Sequence, residues 1–237
     1  MSTAPSIVIL TGAGISAESG VPTFRDANGL WENHRIEDVA SPRGFARNPA
    51  LVHRFYNMRR AALSTVLPNP AHLAIARLQR EHQGWVTLIT QNVDDLHERA
   101  GSPEVIHMHG ELLKARCAKC EEVRTWRKDL DEHMRCDYCR TLGQMRPHIV
   151  WFGEVPFYSE DILMALNRAD IFIAIGTSGH VYPAAGFVEL ASQAGARTIE
   201  VNTDVTAMSD AFQEHRIGKA GANVPALVEE LLGNTRG

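Results

Sequence analysis

Four consecutive apolar positions, Ile7-Val-Ile-Leu10, interrupt the polar start of the chain and give way at once to Thr11-Gly-Ala-Gly14. A β-branched run without polar alternation suits a strand buried on both faces, as in a parallel sheet covered by helices. The same pattern returns at residues 85–90, 170–175 and 197–201. Each run ends in a polar or glycine-bearing turn: Gln91-Asn-Val-Asp-Asp95, Gly176-Thr-Ser-Gly179 and Asn202. Helical patterns separate these runs. One opens near Ile15, one runs from Pro49 to about residue 63, and one is capped by Asn69-Pro70 and continues to about residue 83, with Leu73, Ala76 and Leu78 facing inward. Further helices are expected near residues 159–169, 184–194 and 224–232. Strand and helix in alternation predict an α/β fold, a Rossmann-like doubly wound parallel sheet with right-handed crossovers. Residues 26–48 show neither period and read as a long irregular tract, the kind of loop that is either a functional lid or disordered.

With 237 residues, 44% of them hydrophobic, the chain can bury a substantial core as one large domain, alone or with a smaller insert. The formal charge of -4 offers no electrostatic footprint for nucleic acid, and no stretch approaches the ~18 apolar residues of a membrane span. The opening Met-Ser-Thr-Ala-Pro lacks the basic residues of a signal peptide, so a cytoplasmic protein is expected. The four cysteines change the picture more. Cys117 and Cys120 are separated by two residues, fifteen follow, and Cys136 and Cys139 repeat the spacing. That is the arrangement of a tetrahedral four-thiolate zinc site. Two disulfides or four unrelated thiols are the alternatives, and a reducing compartment disfavours the first. Four thiolates leave no open coordination position, so the metal would be structural.

Gly12 and Gly14 let the backbone turn sharply and approach a phosphate, with a following helix directing N–H groups at the anion. In a G-x-G-x-x-G fingerprint the third glycine would stand at position 17, where this chain has Ala17, which weakens a hydride-transferring dehydrogenase. Gln91, Asn92 and Asp94 follow a predicted strand at the edge where open α/β sheets bind ligands, though turn and cap residues have the same composition. His107 and His109, at i and i+2 on a strand, would point to one side, and either is a candidate base or a hydrogen-bonded structural residue. Tyr56 and Arg59, at i and i+3 on a helix, share a face that can bind a carboxylate, or are a core tyrosine beside a surface arginine.

Taken whole, residues 11–25 resemble the NAD-binding signature of the sirtuins, Gly-Ala-Gly-x-Ser-x-x-Ser-Gly-x-Pro-x-Phe-Arg, without a gap. Residues 91–101, Gln-Asn-Val-Asp-Asp-Leu-His-Glu-Arg-Ala-Gly, resemble that family's second signature, and the likeness continues to about residue 220. The resemblance implies an NAD-dependent protein lysine deacylase. Its NAD site would comprise Gly12, Ala13, Gly14, Ser16, Ala17, Thr23, Phe24, Arg25 and Trp31, then Gln91 on the nicotinamide ribose, Val93, and Asn92 and Asp94 on the carboxamide. Gly176, Thr177, Ser178, Asn202, Thr203, Asp204 and Ala220 would complete it, beneath a mobile flap in the 26–48 tract. The family's catalytic histidine precedes a glycine, which selects His109 as general base beside the catalytic Asn92, with His107 in support. Val150, Trp151, Phe152, Gly153 and Glu154 would receive the acyl-lysine peptide as an added strand, facing residues 180–182.

Tyr-x-x-Arg at positions 56–59, with Ala17 and Trp151, resembles the class that removes acidic acyl groups and includes the bacterial CobB-type enzymes. Tyr56 and Arg59 would then grip the distal carboxylate of succinyl-, malonyl- or glutaryl-lysine while still admitting acetyl-lysine. Products would be free lysine, nicotinamide and O-acyl-ADP-ribose. The same resemblance implies a large Rossmann-like part (1–25, 84–110 and 151–237), and a smaller part made of a helical insert (26–83) and a zinc-ribbon insert (111–150). A monomer acting on protein or peptide substrates is expected. Two rivals stay open: a protein ADP-ribosyltransferase, and an NAD-sensing module without catalysis, against which His109 and the complete Gln-Asn-x-Asp set speak.

Overall fold

The computed structural model describes residues 4–22, 30–31 and 34–233, with the backbone alone at residue 30. Strand β1 (Ile7–Thr11) is buried throughout and turns at Gly12 into the five-residue helix α1 (Ala13–Ala17). Much of the tract expected to be irregular is organised. β2 (Leu30–Trp31) and β3 (His34–Arg35) form an antiparallel ribbon, followed by α2 (Ile36–Val39), α3 (Pro42–Arg47) and α4 (Pro49–Ala62). The first two helices are too short to show a hydrophobic period; α2 has no side-chain cap, whereas α3 and α4 are each capped. Ser41 Oγ accepts the Gly44 N–H at 2.9 Å and Asn48 Oδ1 accepts the Leu51 N–H at 3.1 Å, each just before a helix-starting proline.

Helix α5 (Pro70–Glu81) starts where its cap predicts, with the Asn69 side chain accepting the Ala71 N–H at 3.0 Å. Ala71, Ile75, Ala76 and Leu78 are fully buried, whereas Leu73, expected inward, is 52% exposed. Two residues from Ile75 is about 200° around a helix, which carries Leu73 to the far side of the stripe. β4 (Val86–Thr90), α6 (Leu96–Arg99) and the two-residue β5 (Ile106–His107) follow, with Trp85 outside the strand and exposed. β6 (Gly110–Cys117), β7 (Val123–Thr125) and β8 (Met145–Ile149) form a separate antiparallel sheet in the order β7-β6-β8. The chain then returns through α7 (Ser159–Leu166), β9 (Ile171–Ile175), α8 (Phe187–Gln193), β10 (Arg197–Asn202), β11 (Glu214–Ile217) and α9 (Ala220–Gly233). β11 has no sequence signal, because Glu-His-Arg-Ile lacks the apolar run of a central strand. Helix α9 begins four residues before the expected start, accommodating Pro225 inside it.

Among the described residues the main sheet has 6 strands in the order β11-β10-β9-β1-β4-β5, all parallel. Ile7, Ile9 and Ile173 pack on one face against Ile75 of α5 and Val228 of α9, and Val8, Leu10 and Phe172 pack on the other against Ile162 of α7 and Val188 of α8. Order reverses at β1, so the ends of β1, β4 and β9 bring Gly12, Gln91 and Gly176 to one crevice. That reversal is where doubly wound sheets bind ligands. A second core, with Val52, Phe55 and Tyr56 against Leu112, Ile149 and Trp151, walls the crevice from the side of α4 and β8. Among the described residues no helix is long and apolar enough to cross a membrane.

Candidate active site

The two glycine-bearing turns at the sheet reversal are fitted to each other. Gly12 N–H donates to Ile175 O at 3.0 Å and Gly14 N–H to Gly176 O at 2.9 Å. A Cβ on Gly12 would stand 2.7 Å from Gly176 O, and one on Gly14 the same distance from Gly176 Cα. Gly176 itself adopts φ +62°, the left-handed region that suits glycine. Close approach of backbone to backbone therefore requires these glycines whether or not a phosphate is bound. The helix starts at Ala13, earlier than position 15, and the Gly14 N–H is already committed to the neighbouring turn.

Behind the turns lies a buried polar layer. Asn92 Nδ2 donates to Gly12 O at 3.1 Å and lies 3.2 Å from Ser16 Oγ, and its backbone N–H donates to Thr90 Oγ1 at 3.0 Å. Ser16 Oγ–H donates to Asp94 Oδ2 at 3.0 Å, while Asp94 Oδ1 accepts the Leu96 N–H at 3.1 Å. Burial pushes the Asp94 carboxyl above its usual range, against the lowering effect of these bonds. Ser16 Oγ also stands 3.5 Å from His72 Nε2, and Thr11 Oγ1 bridges Thr90 Oγ1 (2.8 Å) and His97 Nε2 (3.0 Å). The two motifs thus lock each other's side chains in place, with Thr90 and His72 the partners from outside them.

The two histidines part company. Strand β5 ends at His107, and Met108–His109 form a turn, so the expected shared side is lost. His107 is buried, with Nε2 2.6 Å from Glu98 Oε1 and Nδ1 3.2 Å from Asn92 O. Burial alone would lower its pKa, but the hydrogen bond and charge of Glu98 outweigh this and raise it. Its bonds run to Asn92 and Glu98 rather than to His109. His109 lines the cleft with Nδ1 3.2 Å from Gln91 O. A carbonyl can only accept, so Nδ1 carries the proton and Nε2 keeps its lone pair. Burial lowers the His109 pKa, which favours that neutral, basic form.

At the other end of the cleft, Tyr56 is fully buried on α4, and its oxygen accepts the indole N–H of Trp151 at 2.9 Å. Burial raises its phenol pKa. Arg59 reaches the same space one turn later, its guanidinium carbon 4.3 Å from the Trp31 ring centroid. Residues 151–154 form a turn rather than a strand edge, with the Glu154 N–H donating to Trp151 O at 2.9 Å. The N–H groups of Val150 and Phe152 are bonded to His109 O and Ala40 O, so no peptide ladder is preformed along this segment. The Glu154 carboxylate turns inward to Arg146 and Arg116.

A single cleft of about 450 Å³ gathers these groups. Gly12, Ala13, Gly14, Ser16, Ala17, Trp31, Gln91, Asn92, Val93, Asp94, His109, Gly176, Thr177, Ser178, Asn202, Thr203 and Ala220 line it together with Tyr56, Arg59, Val150, Trp151, Phe152, Gly153 and Glu154. Asp204 does not; it lies exposed beyond the wall, its carboxylate accepting the Thr203 hydroxyl at 2.9 Å. Thr23, Phe24 and Arg25 fall outside the described residues. Sequence reasoning missed Ala40, Leu63 and Ile149, apolar wall residues whose composition resembles ordinary core, whereas Val181 falls in the 180–182 segment expected to face the peptide.

The cysteines converge as their spacing predicts. All four sulfur atoms lie within 4.8 Å of one another, with Cys117–Cys139 and Cys120–Cys136 both at 3.7 Å. A disulfide would need about 2.05 Å, whereas four thiolates ~2.3 Å from one ion stand roughly 3.8 Å apart. Each pair sits on a tight turn closed by a left-handed residue: Glu121 N–H donates to Cys117 O and Arg140 N–H to Cys136 O, both at 2.9 Å. The donor set and its geometry fit a structural zinc ion.

Burial also depresses the pKa of four further imidazoles, His72 and His148 to about 4, His97 well below the ordinary value of 6.5, and His53 below it. The unfolded chain then binds protons that the native state refuses. Stability from these groups is full above about pH 6.5 and is lost as pH falls below it, for His72 and His148 down to about pH 4, with His72 alone contributing on the order of 1.4 kcal/mol per pH unit. Urea unfolding at stepped pH should show this slope, shallower in His72→Gln; an equal slope in both proteins would contradict it.

The Sir2 family profile matches residues 12–183. A curated relative from Vibrio cholerae, named an NAD-dependent protein deacylase, is 58% identical over 228 residues, covering 95% of this chain and 93% of its own. A Sir2 homologue solved as its NAD complex superposes with a TM-score of 0.87 at 41% identity, covering 97% of this chain and 90% of that one. A mutant Sir2 homologue in complex with 2'-O-acetyl ADP ribose gives 0.87 at 40% identity, over 97% and 93%. With the sheet reversal, the paired glycine turns and the four-cysteine lobe in place, the chain belongs to the Sir2 family.

Proposed function

We propose that this protein is an NAD-dependent protein lysine deacylase whose preferred groups are acidic acyl chains, with acetyl-lysine as a further substrate. The observation that carries the acidic preference is that Arg59 and Tyr56 line the same cleft as the Gly12–Gly14 turn, Asn92, Asp94 and His109. NAD supplies a ribose carbon already activated by its nicotinamide leaving group, the acceptor for the substrate's acyl oxygen. Asn92 and Asp94, fixed by Ser16 and Gly12, hold the nicotinamide end, and the turns at Gly12 and Gly176 take the phosphates. His109 receives a proton from a ribose hydroxyl at Nε2, with Nδ1 anchored on Gln91 O. Positioning dominates, because the leaving group needs orientation and exclusion of water more than further activation. The named activity of the Vibrio cholerae relative and the ligand of the 2'-O-acetyl ADP ribose complex support this reading.

A charge-assisted hydrogen bond contributes about 1.5–3 kcal/mol net, or roughly 10- to 100-fold in affinity. Arg59→Met should therefore lower desuccinylation of a lysine peptide by that factor relative to deacetylation of the same peptide. An unchanged ratio of the two rates would reduce Arg59 to a wall residue and leave a general deacetylase.

A further inference from the structure

Trp151 is 2% exposed and held from two sides. The Arg146 guanidinium carbon lies 3.3 Å from its ring centroid, and Phe45 packs against it at 5.2 Å. Arg146 grips Glu154 through both carboxylate oxygens, at 2.6 and 3.0 Å, and donates a further bond to Ile149 O at 2.9 Å. Glu154 Oε2 in turn accepts the backbone N–H of Trp151 at 2.8 Å. The chain from Ile149 to Glu154 is thereby closed into a ring with the indole fixed inside it. Stability alone is a poor explanation for this arrangement. A buried ion pair generally contributes little net stability over apolar packing, and Arg146 Nε remains buried with no hydrogen-bond partner among the described residues.

The arrangement has a consequence for hydrogen bonding. An indole N–H is a donor only, so the Tyr56 oxygen must accept from Trp151. The phenolic hydrogen then has to find another acceptor, and among the described residues none takes it, while Tyr56 lines the cleft. We propose that Arg146 is a specificity-positioning residue: by fixing Trp151, it obliges Tyr56 to present its O–H to the acyl group as a donor. A distal carboxylate accepts that hydrogen; an acetyl methyl cannot. This inference rests on the acidic-acyl reading above. It extends the recognition device from two residues on α4 to a relay anchored on β8.

The test compares kcat and KM for succinyl- and acetyl-lysine forms of one peptide, using the full chain with Arg146→Lys, Trp151→Phe, Tyr56→Phe and the Trp151→Phe/Tyr56→Phe double variant. Lysine at 146 keeps the charge but loses the planar fork and the stacking. Arg146→Lys and Trp151→Phe should each lower the succinyl-to-acetyl ratio of kcat/KM by about ten-fold, through KM of the succinyl peptide. In the Tyr56→Phe background Trp151→Phe should have no further effect on the ratio, because the hydroxyl it directs is gone. A parallel loss on both peptides, or a ratio held within about two-fold, would overturn the proposal. If Arg146→Lys does not fold, the Trp151–Tyr56 cycle decides alone, additive ratios counting against it. Arg59→Met separates the two readings: if it leaves the ratio unchanged the acidic-acyl reading fails, whereas if only it lowers the ratio, Arg146 is structural.

Discussion

His109→Tyr should lower NAD-dependent release of succinyl and acetyl groups alike, by roughly two to four orders of magnitude, the usual contribution of a positioned general base. The loss is shared because the base acts on the ribose and not on the acyl chain. Tyrosine fills similar space but is a poor proton acceptor at neutral pH, so folding should persist while chemistry stops. The wild-type pH profile supplies a second reading of the same residue. Burial lowers the His109 pKa, and its neutral form is the active one. Activity should therefore hold as pH falls to the ordinary imidazole value near 6.5 and decline only below it. Circular dichroism and urea midpoints on His109→Tyr check that the fold survives; near wild-type rates in a folded variant would remove His109 from the mechanism.

Cys136→Ala should release the metal and unfold the β6–β8 lobe. Structural zinc in small domains contributes about 10–16 kcal/mol, far beyond what the modest apolar cluster of Ala115, Leu130 and Met145 can supply. The effect should be local at first. Hydrogen exchange should lose protection across residues 110–149, while β1, β9 and β10 keep theirs. Activity should fall with the lobe although no cysteine lines the cleft, because β8 carries Arg146 and leads directly into the Val150–Glu154 wall. Full protection of the lobe in a metal-free Cys136→Ala protein would mean that the four cysteines are only packed thiols.

How much of this was legible depended on whether a residue's signal was local. Buried strands such as β1 and β9 announce themselves as unbroken β-branched runs, and the cysteine spacing carries its own geometry. The helices α2 and α3 are hidden because four or six residues are too few for a period, leaving only the Ser41 cap to mark α3 and nothing to mark α2. Leu73 was misplaced by two positions of helical phase. His107 and His109 were separated by a strand end that no local pattern marks. Long-range fits were beyond reach: nothing near Gly176 says that its carbonyl must lie against Gly12 and Gly14. Arg146 reads as an ordinary surface cation until Trp151 and Glu154 are seen against it.

The most direct test of the central claim is mass analysis of one reaction, with wild-type protein, NAD and a succinyl-lysine peptide. The account predicts bare lysine on the peptide, with nicotinamide and O-succinyl-ADP-ribose formed in equal amounts to it. ADP-ribose attached to the peptide, or a peptide left succinylated while the NAD is intact, would contradict it.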